Sequence, residues 1–170
     1  MGQTGLIIRA GNESDRALLE DMIADCYATV YPGWYEADIL ADALPAMLRI
    51  DPALLGSGHY FVAEMDSVIA GCGGWSARKP GTGETTSAVG HIRHFATRTG
   101  YMGKGVGGAI LEHCATEASN HGVEKLQCFS SLAAETFYAR HGFGKLQEVN
   151  VMLGGEAVFP AVLMEKALGN

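Results

Sequence analysis

The sequence is short of positive charge. Lys and Arg total 12 against 19 Asp and Glu, a formal net charge of −7. The basic residues form no run, which argues against a broad basic face that would hold nucleic acid or a membrane surface by charge. Long apolar runs are missing too. None approaches the roughly 20 residues needed to span a bilayer. Met1 to Gly11 shows no basic stretch followed by a long apolar one, so a secretory leader is not expected there. Cysteine is sparse. Cys26, Cys72, Cys114 and Cys128 are far apart, make no C-x-x-C, and each sits in an apolar stretch, so buried free thiols are expected rather than disulfides. These absences lead to the expectation of a soluble cytoplasmic protein.

What is present is enough for a core. Apolar residues make up 48% and charged residues 18%, which excludes an intrinsically disordered chain. A length of 170 residues is that of one ordinary domain, expected to cover 1–170. Glycine is in excess: 23 residues, about twice the usual share of roughly 7%. There is no Gly-X-Y period, so collagen is excluded and the excess must serve local purposes.

Hydrophobic periodicity gives the order of elements. Leu6 to Arg9 reads as a strand. Asn12 and Ser14 are helix-capping types, and Leu18, Leu19, Met22, Ile23, Cys26, Tyr27 and Val30 recur at helical spacing, so a helix is predicted over 13–30. A second helix runs from about 35 to 48 with Pro45 inside it. Strand-like runs at 59–64 and 68–72 flank a short turn and read as a hairpin. Residues 78–88 are a polar loop, and 91–97 is another strand. A glycine cluster then feeds a helix striped by Val106, Ile110, Cys114 and Ala118, with Gly122 as its C-cap. A strand at 125–130, a helix at 133–141 and two closing strands at 145–153 and 157–166 follow. The order β-α-α-β-β-β-α-β-α-β-β calls for a mixed sheet with helices on its faces.

The glycine cluster carries chemistry. Gly100, Gly103, Gly105, Gly107 and Gly108 lie between a strand and a helix. Absent side chains let backbone N–H groups converge on an anion at the positive end of a helix, and Lys104 adds a mobile charge. A phosphate or pyrophosphate cradle is the reading. Gly103, Gly105 and Gly108 formally match G-x-G-x-x-G, but a Rossmann site places that motif after the first strand, with an acidic residue ending the next. Here it follows several strands and Glu124 opens the next one. A Walker A loop needs Ser or Thr after Gly-Lys, and Gly105 stands there. A nucleotide-binding protein is therefore the third reading.

Order and residues together resemble the GNAT superfamily of acetyl-CoA-dependent N-acetyltransferases. The family's Gln/Arg-x-x-Gly-x-Gly/Ala reads here Met102-Gly103-Lys104-Gly105-Val106-Gly107, with Met102 in place of Gln or Arg. Its second hallmark, A-x-x-φ-Y-x-x-x-G-F, is matched by Ala134, Phe137, Tyr138, Gly142 and Phe143. Ser131 stands where many members carry a cofactor-touching Asn. The resemblance implies an α/β (α+β) fold with a mixed central sheet of about 6–7 strands, flanked by about four helices and splayed at the cofactor site. It also implies acetyl-CoA as co-substrate and no metal. The pantetheine arm would pair with the backbone of Phe95, Ala96 and Thr97, and the pyrophosphate with Met102, Gly103, Lys104, Gly105, Val106, Gly107 and Gly108. A homodimer is a reasonable expectation within such a family.

The implied reaction is direct attack of a primary amine of a small molecule or peptide on the thioester. Tyr138 stands at the family's proton-donor position, and a phenol can protonate a departing thiolate. The base stays open. Counting back from Thr97 places His91 where some members carry a glutamate. His94 lies on the same strand, on the other face by alternation. Glu84 in the nearby loop and water are further routes. His91 and His94 at a spacing of three on a strand point apart, which speaks against a metal site. Tyr31, Trp34, Tyr35 and Trp75 are candidates for an acceptor pocket or for aromatic cover of the sheet edge. Glu36, Asp38 and Asp42 read as a helix's wet face or as an attraction for a cationic amine. The alternative function is a non-catalytic acyl-CoA-binding or sensing module on the same fold.

Overall fold

A computed structural model describes residues 5–80, 82–86, 88–153 and 157–169. Met1 to Thr4, the head of the stretch read for a leader, and Gly81 and Ser87 in the polar loop lie outside the described residues.

Seven strands form one mixed sheet: β1 (Ile7–Ala10), β2 (Tyr60–Met65), β3 (Val68–Ser76), β4 (Val89–Thr97), β5 (Lys125–Ser131), β6 (Gly144–Leu153) and β7 (Ala157–Ala167). Their order is β1-β2-β3-β4-β5-β7-β6, antiparallel throughout except for the parallel β4–β5 pair. Among the described residues five α-helices accompany them: α1 (Arg16–Val30), α2 (Ala37–Met47), α3 (Pro52–Leu55), α4 (Val106–Asn120) and α5 (Glu135–Arg140). No described helix is long and apolar enough to cross a membrane.

The period of two along β2 builds a core on each face of the sheet. Tyr60 and Val62 join Leu19, Ile23 and Tyr27 of α1, together with Cys72, Ala96 and Phe159. Phe61 and Ala63 face the other way and join Ile110, Leu111 and Cys114 of α4, with Leu126, Tyr138 and Phe143. All four cysteines are buried and free. Burial pushes the Cys72 and Cys128 thiols up to about 12.

Two local features differ from the sequence reading. The helix predicted from residue 13 begins as a 3-10 turn, Glu13–Asp15, and becomes α-helical only at Arg16. A capping box explains this: the Asn12 side chain accepts from Ser14 N at 2.9 Å, and Asn12 N donates to Asp15 Oδ2 at 3.0 Å. The one-turn α3 carries too little periodicity to be seen in advance. Its signal is the Asp51 cap, which accepts from Ala53 N, followed by Pro52 at the first helical position.

Arg9 ties the box to the sheet. It pairs with Asp15 at 2.9 Å and with Glu64 of β2 at 3.0 Å. The hydrogen bond from Arg9 holds the Asp15 carboxyl below its ordinary value of 3.8. A depressed carboxyl stabilises the fold above its unfolded pKa, and that contribution fades as pH falls through the folded one. Asp15→Asn is expected to cost about 1–2 kcal/mol at pH 7. In urea titrations the gap from wild type should shrink as pH falls below 3.8; a gap independent of pH would refute the assignment.

Candidate functional site

β4 and β5 pair only over Val89–Lys125, Gly90–Leu126 and His91–Gln127. Beyond His91 a cleft of about 1360 Å³ opens, lined by Ile92 to Thr97 on one side and by Cys128, Phe129 and Ser131 on the other. The glycine loop and α4 line one end, Tyr138 of α5 lines the wall, and Tyr27, Tyr31 and Phe159 line the opposite face of the sheet.

A bulge shapes the β4 side. Cys72 pairs with Ala96 while Gly74 pairs with Arg93, so β4 carries one more residue than β3 across this stretch. His94 adopts φ +49°, a left-handed backbone that non-glycine residues rarely take. Two tyrosines hold it. The Tyr60 hydroxyl donates to His94 O at 2.8 Å, and the Tyr27 hydroxyl donates to Phe95 O at 3.3 Å. The bulge breaks strand alternation, so the expectation that His91 and His94 occupy opposite faces does not carry across it.

The two histidines part company for another reason. His94 lines the cleft, and burial pushes its pKa down to about 4. His91, expected as a base on the cofactor strand, is buried at the closed end of the β4–β5 pair and is not a cleft residue. Its Nε2 has no hydrogen-bond partner among the described residues, and burial followed by the charges of Lys79 and Arg93 lowers its pKa. Glu84 is exposed in the loop beside Thr82 and stays off the cleft.

The loop end of the cleft is shaped by backbone. Gly105 is the N-cap of α4 with φ +82°, a conformation that costs a side-chain-bearing residue roughly 1–2 kcal/mol. Gly108 serves a different end: a Cβ there would lie 2.7 Å from the His141 ring, so its absence lets α4 pack on α5. Met102, Gly103, Gly105, Val106, Gly107 and Gly108 all line the cleft. Lys104 is exposed and is not among the lining residues.

Tyr138 sits among the rings of Phe95 (6.3 Å between centroids), Phe137 (5.0 Å) and Phe143 (5.4 Å). Burial holds its pKa well above the ordinary 10, so it is a phenol, never a phenolate, at neutral pH. Phe95, Ala96, Thr97, Ser131 and Tyr138, far apart in sequence, thus share one cleft with the glycine loop.

Of the aromatic candidates, only Tyr31 lines the cleft. Tyr35 is buried behind it; its hydroxyl donates to Pro160 O at 2.7 Å and accepts from Leu132 N at 2.8 Å. Trp34 is exposed. Trp75 belongs to the α4 face, where its Nε1 donates to Glu117 Oε1 at 2.8 Å, so the acceptor role considered for it is not supported. Glu36, Asp38 and Asp42 are exposed and off the cleft. The sequence reading missed Tyr27, Phe159 and Arg93 as cleft residues. Tyr27 was legible, four positions before Tyr31 on one helix. Arg93 and Phe159 carry no local signal.

The family model for the acetyltransferase (GNAT) domain matches residues 56–145, more than half of the chain. The chain belongs to the GNAT family. That match spans β2 through α5 and contains the bulge, the glycine loop and Tyr138. No curated protein matches the chain in sequence. Solved GNAT structures resemble it over nearly its full length. A GCN5-related N-acetyltransferase from Rhodopseudomonas palustris shares 20% identity, covering 99% of this chain and 98% of that one, with a TM-score of 0.74. PaiA N-acetyltransferase from Thermoplasma acidophilum, solved with coenzyme A, shares 14%, covering 96% and 99%, with a TM-score of 0.72. The ribosomal-protein-S18-alanine N-acetyltransferase from Escherichia coli shares 17%, covering 97% and 95%, with a TM-score of 0.65. At these identities the likeness is one of fold, and the fold is the GNAT fold. Among the described residues no group of three or more His, Cys, Asp or Glu is arranged to hold a metal.

Proposed function

We propose that this GNAT protein moves an acetyl group from acetyl-CoA to a primary amine by direct attack, in one domain spanning 1–170. The observation that carries the reading is the shared cleft: splayed β4 and β5, a glycine-built helix N-terminus at one end, and a buried phenol on the wall. The chemistry of the lining fits acetyl-CoA. The α4 N-terminus suits a pyrophosphate, and an unpaired strand edge suits the amide-bearing pantetheine arm. Bound there, acetyl-CoA supplies an activated acyl thioester.

The chain's own residues do the rest. Backbone groups of Phe95, Ala96 and Thr97 orient the arm, and N–H groups at the bulge can polarise the thioester carbonyl. The loop residues Met102 to Gly108 and Ser131 hold the remainder of the molecule. As the amine nitrogen bonds to the acyl carbon and the C–S bond breaks, Tyr138 holds a proton at its hydroxyl for the departing sulfur.

We take neither histidine as the base. A primary ammonium has a pKa of roughly 8–10, so handing its proton to His94 at about 4 is uphill by about 5–8 kcal/mol. His91 lies off the cleft. Water takes the proton, or the amine arrives neutral. log(kcat/KM) should therefore rise by about one unit per pH unit up to the acceptor's own pKa, with no plateau near 6–7. A plateau there that disappears in His94→Gln or His91→Gln would restore a histidine base.

The test of the reading is a panel of primary amines with acetyl-CoA, followed by thiol release, beside thermal shift with CoA, NAD and ATP. Amine-dependent release with stabilisation by CoA supports it. Stabilisation by CoA without release for any amine favours an acyl-CoA-binding module instead. Stabilisation by NAD or ATP alone overturns the CoA assignment.

A further inference from the structure

We propose that the amine acceptor carries a carboxylate close to its amino group, taken by Arg93, and an apolar or aromatic body that lies against Tyr31 and Phe159; this names the substrate class for the acyl transfer proposed above and rests on it.

The first observation is Arg93 itself. It lies on β4 at the mouth of the splay, one residue before the left-handed His94, and it lines the cleft. It is half-buried. Its guanidinium donates to Ser76 Oγ at 3.0 Å, a neutral partner, and no described carboxylate lies within ion-pair distance. Asp51 acts on it only through its field, while burial lowers its pKa. A half-buried cation without a counter-ion is costly, and a planar five-donor fork matches a carboxylate in two parallel hydrogen bonds.

The second observation is charge. Among the described residues, the only acidic one lining the cleft is Glu112, on α4. Glu36, Asp38 and Asp42, which would have drawn in a polycation, are exposed and off the cleft. Lys79 adds positive charge nearby, 5.8 Å from the Phe129 ring. A polyamine or an aminoglycoside finds only Glu112 for its extra charges, whereas the carboxylate of an amino acid finds Arg93.

The third observation is the wall. Tyr27 and Tyr31 stack at 4.7 Å, Tyr31 meets Phe159 at 5.7 Å, and Phe159 stacks on Tyr35 at 4.3 Å. These rings support one another and offer a rigid apolar surface to the acceptor body.

The test compares two products that differ only in the carboxylate. N-acetyl-L-phenylalanine and N-acetylphenethylamine are titrated calorimetrically into the CoA-saturated protein, with N-acetylspermidine as the polycationic comparison. The carboxylate ligand should bind at least about 10-fold tighter than either of the others, the effect of a charged hydrogen-bonded pair. Arg93→Gln should erase that difference, and Arg93→Lys should keep part of it. Equal affinities, tightest binding of N-acetylspermidine, or an equal loss for both phenyl ligands in Arg93→Gln would each overturn the proposal. Ligand binding and thiol release are read separately. A carboxylate preference without amine-dependent release would therefore sink the transferase reading, and with it the acceptor role, leaving Arg93 only as a carboxylate subsite; amine-dependent release without a carboxylate preference would sink this proposal alone.

Discussion

Gly105→Asp is expected to weaken CoA binding by about 30- to 150-fold while leaving a folded protein. Two terms separate cleanly at this position. The first is conformational: φ +82° costs any side chain about 1–2 kcal/mol, and Asp is among the residues that tolerate it best. No atom lies within 4 Å of a Cβ built there, so no steric clash adds to it. The second is electrostatic. A carboxylate at the head of α4 would stand in the place proposed for a pyrophosphate. Two like charges about 5 Å apart at an effective dielectric of 20 repel by about 3 kcal/mol, and even a partly screened 2–3 kcal/mol is about 30- to 150-fold in affinity. Gly105→Ala carries the first term alone, so its CoA affinity should fall by less than about 10-fold. Calorimetry with CoA on the two variants decides the matter. Unchanged affinity in Gly105→Asp would remove the glycine loop from the site. Gly107→Asp is the poorer probe, because a Cβ there already presses on the Phe137 ring at 3.2 Å and confounds packing with charge.

The same loop shows what was legible in the chain. A dense glycine run between a strand and a helix announces itself, because left-handed turns and missing side chains are encoded one residue at a time. The strand order and the helix stripes of α1 and α4 were equally local. The bulge was not. It depends on Tyr60 reaching His94 O from β2, and on Gly73, where a Cβ would lie 2.5 Å from the Phe95 ring. Strand alternation applied to His91 and His94 could not register an extra residue set by partners on other strands. The glycines at 71, 73 and 74 make room for Val106, Phe95 and β2 respectively.

Charge and aromatic residues divide in the same way. Trp75 reads in sequence either as a pocket residue or as cover of the sheet edge, and the hydrogen bond to Glu117 of α4 commits it to the other face. Tyr27 and Tyr31, one helical turn apart, could be paired from spacing alone. Phe159, which completes their wall, arrives on the last strand. Arg93 is silent in sequence because its meaning lies in what is missing around it, a carboxylate partner, and only a three-dimensional census of neighbours can report that.

Tyr138→Phe should lower kcat by about 100- to 1,000-fold and leave CoA affinity nearly unchanged, the range for loss of a positioned general acid. The ring stays, so its packing with Phe95, Phe137 and Phe143 persists and the fold should lose little. What disappears is one proton donor. In wild type that donor is insensitive to pH over the working range. Burial raises its pKa well above 10, the hydroxyl stays protonated, and kcat has no descending alkaline limb below about pH 10 from this group. In Tyr138→Phe the thiolate must leave unprotonated or borrow from water, so the rate should depend strongly on the leaving group. An acyl donor with a more acidic thiol should recover much of the lost activity, whereas wild type should be nearly indifferent to that change. A purely structural tyrosine predicts the opposite pattern: a drop in melting temperature, weaker CoA binding and no rescue by a better leaving group. The ratio of variant to wild-type kcat across two thioesters separates the two roles, because packing cannot sense the acidity of a departing thiol.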